Sequence, residues 1–297
     1  MPATTGGVID MSSMRIAVLV TVYNRATTTV RGLQRLASLA KAVSGEFEFS
    51  VFLVDDGSTD GTGSQVSELP LDISVIQGTG SLYWNRGMIL AHHTARNSDE
   101  DFDAFMLYND DVLLDDNFIP FLRQFRDLEN TILVGALREP ASGEISYSGV
   151  VRVGGLHPFT FIRPELSATL VPVDTFNANI VLIPAKVFER LGGLDPAYTH
   201  AGGDYDLGLR AGSLGIRSYV YGSTVGDCER GPSLDQRIRT ADLKGRWKLL
   251  FGYPHGPGQH LYFVRKHGVP LLFPIYAIRD GLRRVVKLIW RTAKYPR

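Results

Sequence analysis

Residues 15–22 read RIAVLVTV and run straight into Tyr23-Asn24-Arg25. A β-branched apolar run this short, closed by polar turn residues, predicts a strand buried on both faces. Outward from it, residues 27–43 set Leu33, Leu36, Leu39 and Ala40 at helical spacing. Residues 47–54 predict a second strand, which stops at Asp55-Asp56-Gly57-Ser58. A helix over 59–69, a strand over 73–76, a helix over 81–96 and a fourth strand over 104–108 (AFMLY) follow. That fourth strand stops at Asn109-Asp110-Asp111. Alternating strands and helices predict the α/β class, a mostly parallel, Rossmann-like sheet with helices on both faces. Ligands of such sheets bind beyond the carboxyl ends of the strands, where residues 21–25, 55–56 and 109–111 all fall. The second half is less regular. Residues 143–153 alternate like a hairpin, 176–183 read as a strand closed by Pro184, and 186–191 as a short helix before Gly192-Gly193. A helix over 204–213 and a strand over 217–221 complete the pattern. With no repeat and no linker, one domain is expected over 15–233. A loose leader over 1–14 precedes it, and a C-terminal helical segment over 234–297 follows.

Length and composition bound the function. The chain has 297 residues, 44% apolar and 21% charged, ample for a full core and unlike a disordered or coiled-coil chain. Its 31 basic and 31 acidic side chains cancel, which argues against a dedicated nucleic-acid binder. The single cysteine, Cys228, rules out an internal disulfide and fits a cytoplasmic setting. The first fourteen residues lack the basic start and apolar core of a signal peptide, and no apolar run is long enough for a transmembrane helix.

Three acidic clusters stand out: Asp55/Asp56, Asp110/Asp111 and Asp204/Asp206. Adjacent acids after an apolar strand repel unless a cation or hydrogen-bond donors compensate. Hard divalent cations take one or two carboxylates plus phosphate oxygens, so a metal at Asp111 would imply a diphosphate ligand. The plainer alternative is turn and N-cap chemistry for the helices that follow. Two such clusters at strand ends of one sheet favour a ligand site.

These motifs occur in a set order: Thr21-Val22-Tyr23-Asn24-Arg25, Val54-Asp55-Asp56-Gly57-Ser58-Thr59-Asp60-Gly61-Thr62, Gly80 to Gly87, Tyr108-Asn109-Asp110-Asp111-Val112, Gly192-Gly193-Leu194-Asp195, and Gly203 to Arg210. In that order the chain resembles the inverting, nucleotide-sugar-dependent glycosyltransferases of family 2, with the GT-A fold. Within the family it is most similar to bacterial rhamnosyltransferase-like enzymes of cell-surface polysaccharide assembly.

The resemblance implies roles. Thr21, Tyr23 and Arg25 would line the nucleotide pocket beside Asp55, with Asp56 reading the pyrimidine base. Trp84 and Asn85 would lie near the donor's sugar or diphosphate. Asn109-Asp110-Asp111 matches the family's DxD motif with Asn in the first place. Asp111 would bind Mg²⁺ or Mn²⁺, and Asp110 the ribose or the metal. Asp204 matches the second residue of the family's Glu-Asp pair and would be the general base, with Gly203 replacing the Glu. Asp204 can equally cap the helix behind it, and both roles can hold together. Many members place a metal-binding His after the last sheet strand, where this chain has Gly226-Asp227-Cys228-Glu229. Asp227 is the nearest substitute, since a Cys is soft for Mg²⁺. Asp195, Asn177, Asn179 and His200 are either acceptor contacts or structural. Leu82 and Tyr83 read as core, and His92 and His93 as structural, since adjacent helical positions do not share a face.

The last segment differs. Residues 279–297 hold seven basic side chains and one acid, and Ile278, Leu282, Val285, Val286, Ile289 and Trp290 recur at helical spacing between them. A basic amphipathic helix suits an anionic membrane surface, or packs its apolar stripe on protein. The resemblance thus implies a metal-dependent transferase of a sugar, rhamnose being one candidate. The donor would be dTDP- or UDP-linked and the acceptor a glycan or lipid-linked glycan. Its place would be the cytoplasm, peripheral on the inner membrane. An inactive GT-A scaffold or glycan-binding protein, and a nucleotidyltransferase, are the competing expectations.

Overall fold

The computed structural model describes residues 13–154, 160–253 and 256–289. The first twelve residues of the expected leader, and Trp290, Arg291, Lys294 and Arg297 of the basic tail, lie outside them. The first half alternates strand and helix: β1 (Met14–Val22), α1 (Ala26–Ala42), β2 (Phe47–Asp55), α2 (Thr62–Val66), β3 (Asp72–Gln77), α3 (Tyr83–Arg96) and β4 (Ala104–Tyr108). Next come β5 (Leu113–Leu114), α4 (Phe118–Arg126), β6 (Thr131–Arg138), β7 (Ile145–Tyr147), β8 (Gly149–Arg152), β9 (Phe161–Ile162), β10 (Val171–Val173) and β11 (Thr175–Phe176). Then β12 (Ile180–Pro184), α5 (Ala185–Leu191), α6 (Gly203–Ser213) and β13 (Arg217–Asp227) close the sheet. Four helices follow: α7 (Leu234–Thr240), α8 (Leu243–Phe251), α9 (Pro257–His267) and α10 (Phe273–Ile289).

The main sheet runs β10-β13-β6-β12-β4-β1-β2-β3. The pairs β1/β2, β2/β3, β1/β4 and β6/β13 are parallel, while β12 runs antiparallel to both β4 and β6. Both faces of β1 are covered. Ile16, Val18 and Val20 point into one core with α1 and α4, and Ala17 and Leu19 into the other with α3 and α5. That two-sided burial is why the run of residues 15–22 is continuously apolar rather than alternating.

Several expectations are corrected. The helix expected over 59–69 shrinks to Thr62–Val66 because Asp60 is engaged elsewhere, accepting from the Ala26 N–H (3.0 Å) and from Thr62. Residues 143–153 are not one hairpin: β7 pairs with β6, while β8 pairs with β9 and β11. Gly149 sits where a Cβ would meet Val220 and Val173 at 2.5 and 2.7 Å, so the chain turns tightly from one sheet to the other. The strand expected over 176–183 breaks at residues 177–179. The last strand runs six residues further than expected, to Asp227. No helix among the described residues is long and apolar enough to cross a membrane.

Candidate active site

The carboxyl ends of β1 and β4, the turn after β2 and the start of α6 enclose a cavity of about 1200 Å³. Thr21, Tyr23, Arg25, Asp56, Trp84, Asp110, Asp111, Asp204 and Asp227 all line it. The break in the strand at residues 177–179 puts Asn177 and Asn179 on the wall, and His200 joins them.

Local hydrogen bonding fixes the strand ends. Asn24 takes a left-handed conformation (φ 50°), which Asn tolerates. Its N–H donates to Ser58 Oγ at 2.9 Å and its Oδ1 accepts from the Thr59 N–H at 2.8 Å, tying the two strand ends together. Asp56 is buried in the wall. Its Oδ1 accepts from the Gly80 N–H (2.8 Å), and its Oδ2 from those of Leu82 and Tyr83 (2.9 Å each). One carboxylate thus shapes the whole approach to α3. Tyr83 is not core, contrary to expectation. Held at φ 56° by that bond, it faces the cavity and sets its ring edge-on to His200 and Tyr253. Positive φ at an aromatic residue costs of order 1–3 kcal/mol, and such strain gathers at functional sites. Trp84 Nε1 donates to Asn109 Oδ1 at 2.8 Å.

Two of the expected site residues lie elsewhere. Asp55 does not reach the cavity; it accepts the Ser58 N–H at 2.8 Å and borders a separate small hollow beside Thr62 and Gly63. Asn85 is fully buried, donating to the carbonyls of Asp195 and Tyr198 at 2.9 Å. Asp195 is likewise spoken for, by Lys266 (2.7 Å) and Tyr262 (2.9 Å).

The acidic pair is bridged from within the chain. Arg25 Nη1 lies 3.0 Å from Asp110 Oδ1 and 2.9 Å from Asp111 Oδ2. Burial lowers the Arg25 pKa, but the two carboxylates outweigh it and hold the guanidinium above its usual value. Burial pushes the Asp110 carboxyl up to about 6, with Asp111 adding to the rise and Arg25 opposing it. Cys228 donates its thiol to Asp111 Oδ1 at 3.5 Å, and burial and that carboxylate push the thiol well above its usual range. Asp227, which lines the cavity, is paired as well: Arg138 lies 2.9 Å from its Oδ1 and 2.9 Å from Asp115. Among the described residues no three His, Cys, Asp or Glu side chains gather as a metal cluster. Asp110 and Asp111 are the carboxylates that could join a hard cation completed by phosphate oxygens, and Arg25 is paired with both of them in this structure.

Asp204 lies in the first turn of α6, after Gly202 in a left-handed conformation (φ 93°). Burial pushes its carboxyl up to about 6, while backbone amides, Tyr205 first, pull it back. The Tyr205 N–H donates to its Oδ1 at 2.9 Å. Gly203 has a structural reason: a Cβ there would lie 1.8 Å from Asn85 Oδ1. Arg31, Tyr147 and Tyr205 also line the cavity and were not anticipated. Arg31 has a sequence signal, lying three and four residues beyond Thr28 and Thr27 on one face of α1, which also borders the cavity.

Residues 17–180 match the family model described as Glycosyl transferase family 2. The chain belongs to that family. This family 2 glycosyltransferase also resembles solved structures at low identity. A mannosyltransferase from Pyrobaculum calidifontis, solved with GDP-Man and Mn²⁺, is 15% identical with a TM-score of 0.52, covering 95% of this chain and 88% of that one. TarS 1-349 of S. aureus, in complex with UDP-GlcNAc, is 15% identical with a TM-score of 0.53, over 93% and 81%. GalNAc-T7, solved with UDP, GalNAc and Mn²⁺, is 13% identical with a TM-score of 0.54 over 92% of this chain and 58% of that chain. The shared architecture is the GT-A fold. No curated protein matches the chain.

Proposed function

We propose that this family 2 glycosyltransferase is an inverting enzyme that moves a hexose from a nucleoside diphosphate to a glycan or lipid-linked glycan acceptor. The donor would be dTDP- or UDP-linked, with rhamnose the first sugar to try. The observation that carries the reading is one cavity holding a base, Asp204, and a charged pair suited to a diphosphate, Asp110/Asp111 with Arg25. Asp204 would take the proton from the acceptor hydroxyl as that oxygen attacks the anomeric carbon. The bond from that carbon to the diphosphate breaks in the same displacement, and the nucleoside diphosphate leaves. A carboxyl poised near 6 is ionised at neutral pH yet basic enough to accept that proton.

Thr21, Tyr23 and Asp56 would bind the nucleoside. Asp56 retains lone pairs for a base N–H beyond the three amides it serves. Trp84 would border the donor sugar. Asp110 and Asp111 would hold Mg²⁺ or Mn²⁺, which supplies positive charge to the diphosphate. The similar structures solved with Mn²⁺ beside GDP-Man, or beside UDP and GalNAc, support that choice. Arg25, released from the carboxylates, would reach the phosphates. Asn177, Asn179 and His200 would face the acceptor. The place of action would be the cytoplasmic side of a membrane that carries the acceptor.

Calorimetric titration with a panel of nucleoside diphosphates and nucleotide sugars, with and without Mn²⁺ or Mg²⁺, tests the donor site. Metal-dependent binding that weakens at least tenfold in Asp111→Ala is expected, corresponding to about 1.4 kcal/mol. Folded protein that binds no donor under any condition would instead indicate an inactive GT-A scaffold.

A further inference from the structure

The amphipathic helix α10 turns its apolar stripe outward. Leu271 is 86% exposed, Ile278 65% and Ile289 68%, and Ile275, Leu282 and Val285 between them are exposed as well. At 100° per residue the five that lie on α10 share one narrow face, and Leu271 precedes them in the short turn Pro270–Leu272. The opposite face holds α10 to the protein: Arg284, paired within the helix with Asp280 at 2.7 Å, donates to the Leu250 carbonyl, and Lys287 pairs with Asp235. Among the described residues, docking of α10 on its own chain therefore leaves the stripe exposed. Arg279 and Arg283 lie exposed along one border of it.

Charge says what covers such a stripe. Residues 234–297 hold fourteen basic and three acidic side chains, a net +11, while residues 1–233 carry −11. The stripe's spacing of three and four residues would also suit a two-helix seam with a second copy. Its flanking positions, Pro274, Gly281 and Leu288 on one side and Arg279 and Val286 on the other, offer no acid to pair with a partner's arginine. Two copies would bring two strongly basic segments together. An anionic surface with an apolar interior satisfies both features at once.

We propose that the outward face of α10 docks on an anionic lipid bilayer, with the stripe in the acyl boundary and Arg279 and Arg283 among the headgroups. This surface is separate from the donor cavity and does not depend on the assignment of Asp204. Flotation of the full chain tests it, with vesicles of phosphatidylcholine alone and of phosphatidylcholine mixed with phosphatidylglycerol. Binding to the mixed vesicles only is expected, weakening as salt rises. Arg279→Ser with Arg283→Ser should lower the partition coefficient roughly 30-fold, and Ile278→Asp with Leu282→Asp should abolish binding. Circular dichroism confirms that the variants fold. Should either variant fail to fold, the lipid and salt dependence of the wild type still decides. Equal binding to both vesicle types, or none to either, overturns the proposal. So does a lipid-free dimer that Ile278→Asp with Leu282→Asp converts to monomer.

Discussion

Asp204 shows how burial and a backbone start combine at a single side chain. Its carboxyl is pushed up to about 6 from an ordinary value near 3.8. As a base it must be ionised, so kcat at saturating donor should rise with pH through about 6 and then level, read from a pH–rate profile. The same shift sets the sign of its stability term. The folded state holds that proton more tightly than the unfolded chain, so stability from Asp204 falls as pH rises from about 3.8 to about 6. Asp204→Asn should therefore raise the melting temperature at pH 7–8 while activity collapses. Gly203 and Asn85 form a second tight unit, because Asn85 Oδ1 is buried without a hydrogen-bond partner and a Cβ at 203 would strike it. Gly203→Ala should cost about 1–3 kcal/mol in denaturant titrations. In an Asn85→Ala background most of that cost should vanish; an additive double variant would contradict the contact. The sequence marked Asp110 and Asp111 as acids at the end of a strand and Asp204 as an acid opening a helix after two glycines, and the structure brings all three to one cavity. The sequence could not show that Arg138 would pair with Asp227, or that Asp55 would serve its own turn, since those partners meet only in the folded chain.

Elements position these residues through a buried charge centre. Asp206, on α6 two residues after Asp204, has no exposed surface and is met by Arg210 at 2.6 Å, Lys266 at 2.6 Å and His267 at 2.8 Å. Lys266 and His267 end α9, so the C-terminal helices are bolted to the helix that carries the proposed base. Burial alone would raise the Asp206 carboxyl, but His267, Lys266 and Arg210 together hold it at about 2. A carboxyl held below its ordinary value stabilises the fold above about pH 3.8 and loses that contribution as pH falls toward 2. Asp206→Ala strands the basic side chains and should cost about 3–5 kcal/mol at neutral pH. Its melting temperature should then fall less than that of the wild type between pH 4 and 2, measured by calorimetry. Much of this element pattern was readable, because β1, β2 and β4 are buried on both faces and their apolar runs are unmistakable. Helix α4 and strand β6 were not anticipated, although Phe118, Phe121, Leu122 and Phe125 have helical spacing. Pro120 reads as a break there, yet in the first turn its missing N–H has no helical partner to lose. Gly135 likewise interrupts the run of β6, and the structure demands it: a Cβ there would lie 2.6 Å from Ile180 and 2.7 Å from Val225.

At the scale of the molecule, a chain of zero net charge divides into an acidic body and a basic C-terminal segment. The acidic body is the GT-A fold, and its cavity gathers side chains from nine separate stretches of sequence. The basic segment grips that body through Lys266 and turns an apolar stripe away from it. Whole-chain composition conceals this division, whereas charge counted by segment exposes it. The proposed docking of α10 would carry the proposed donor cavity to a membrane surface. The central claim is that Asp204 activates the attacking hydroxyl in this cavity. The most direct test is release of nucleoside diphosphate from the best-binding nucleotide sugar, with water or a glycan as acceptor, by wild type and Asp204→Asn. The account predicts a rate loss of about 10²–10⁴-fold in the variant, with donor affinity unchanged by calorimetry. A variant that binds donor normally and turns it over as fast as the wild type would contradict it.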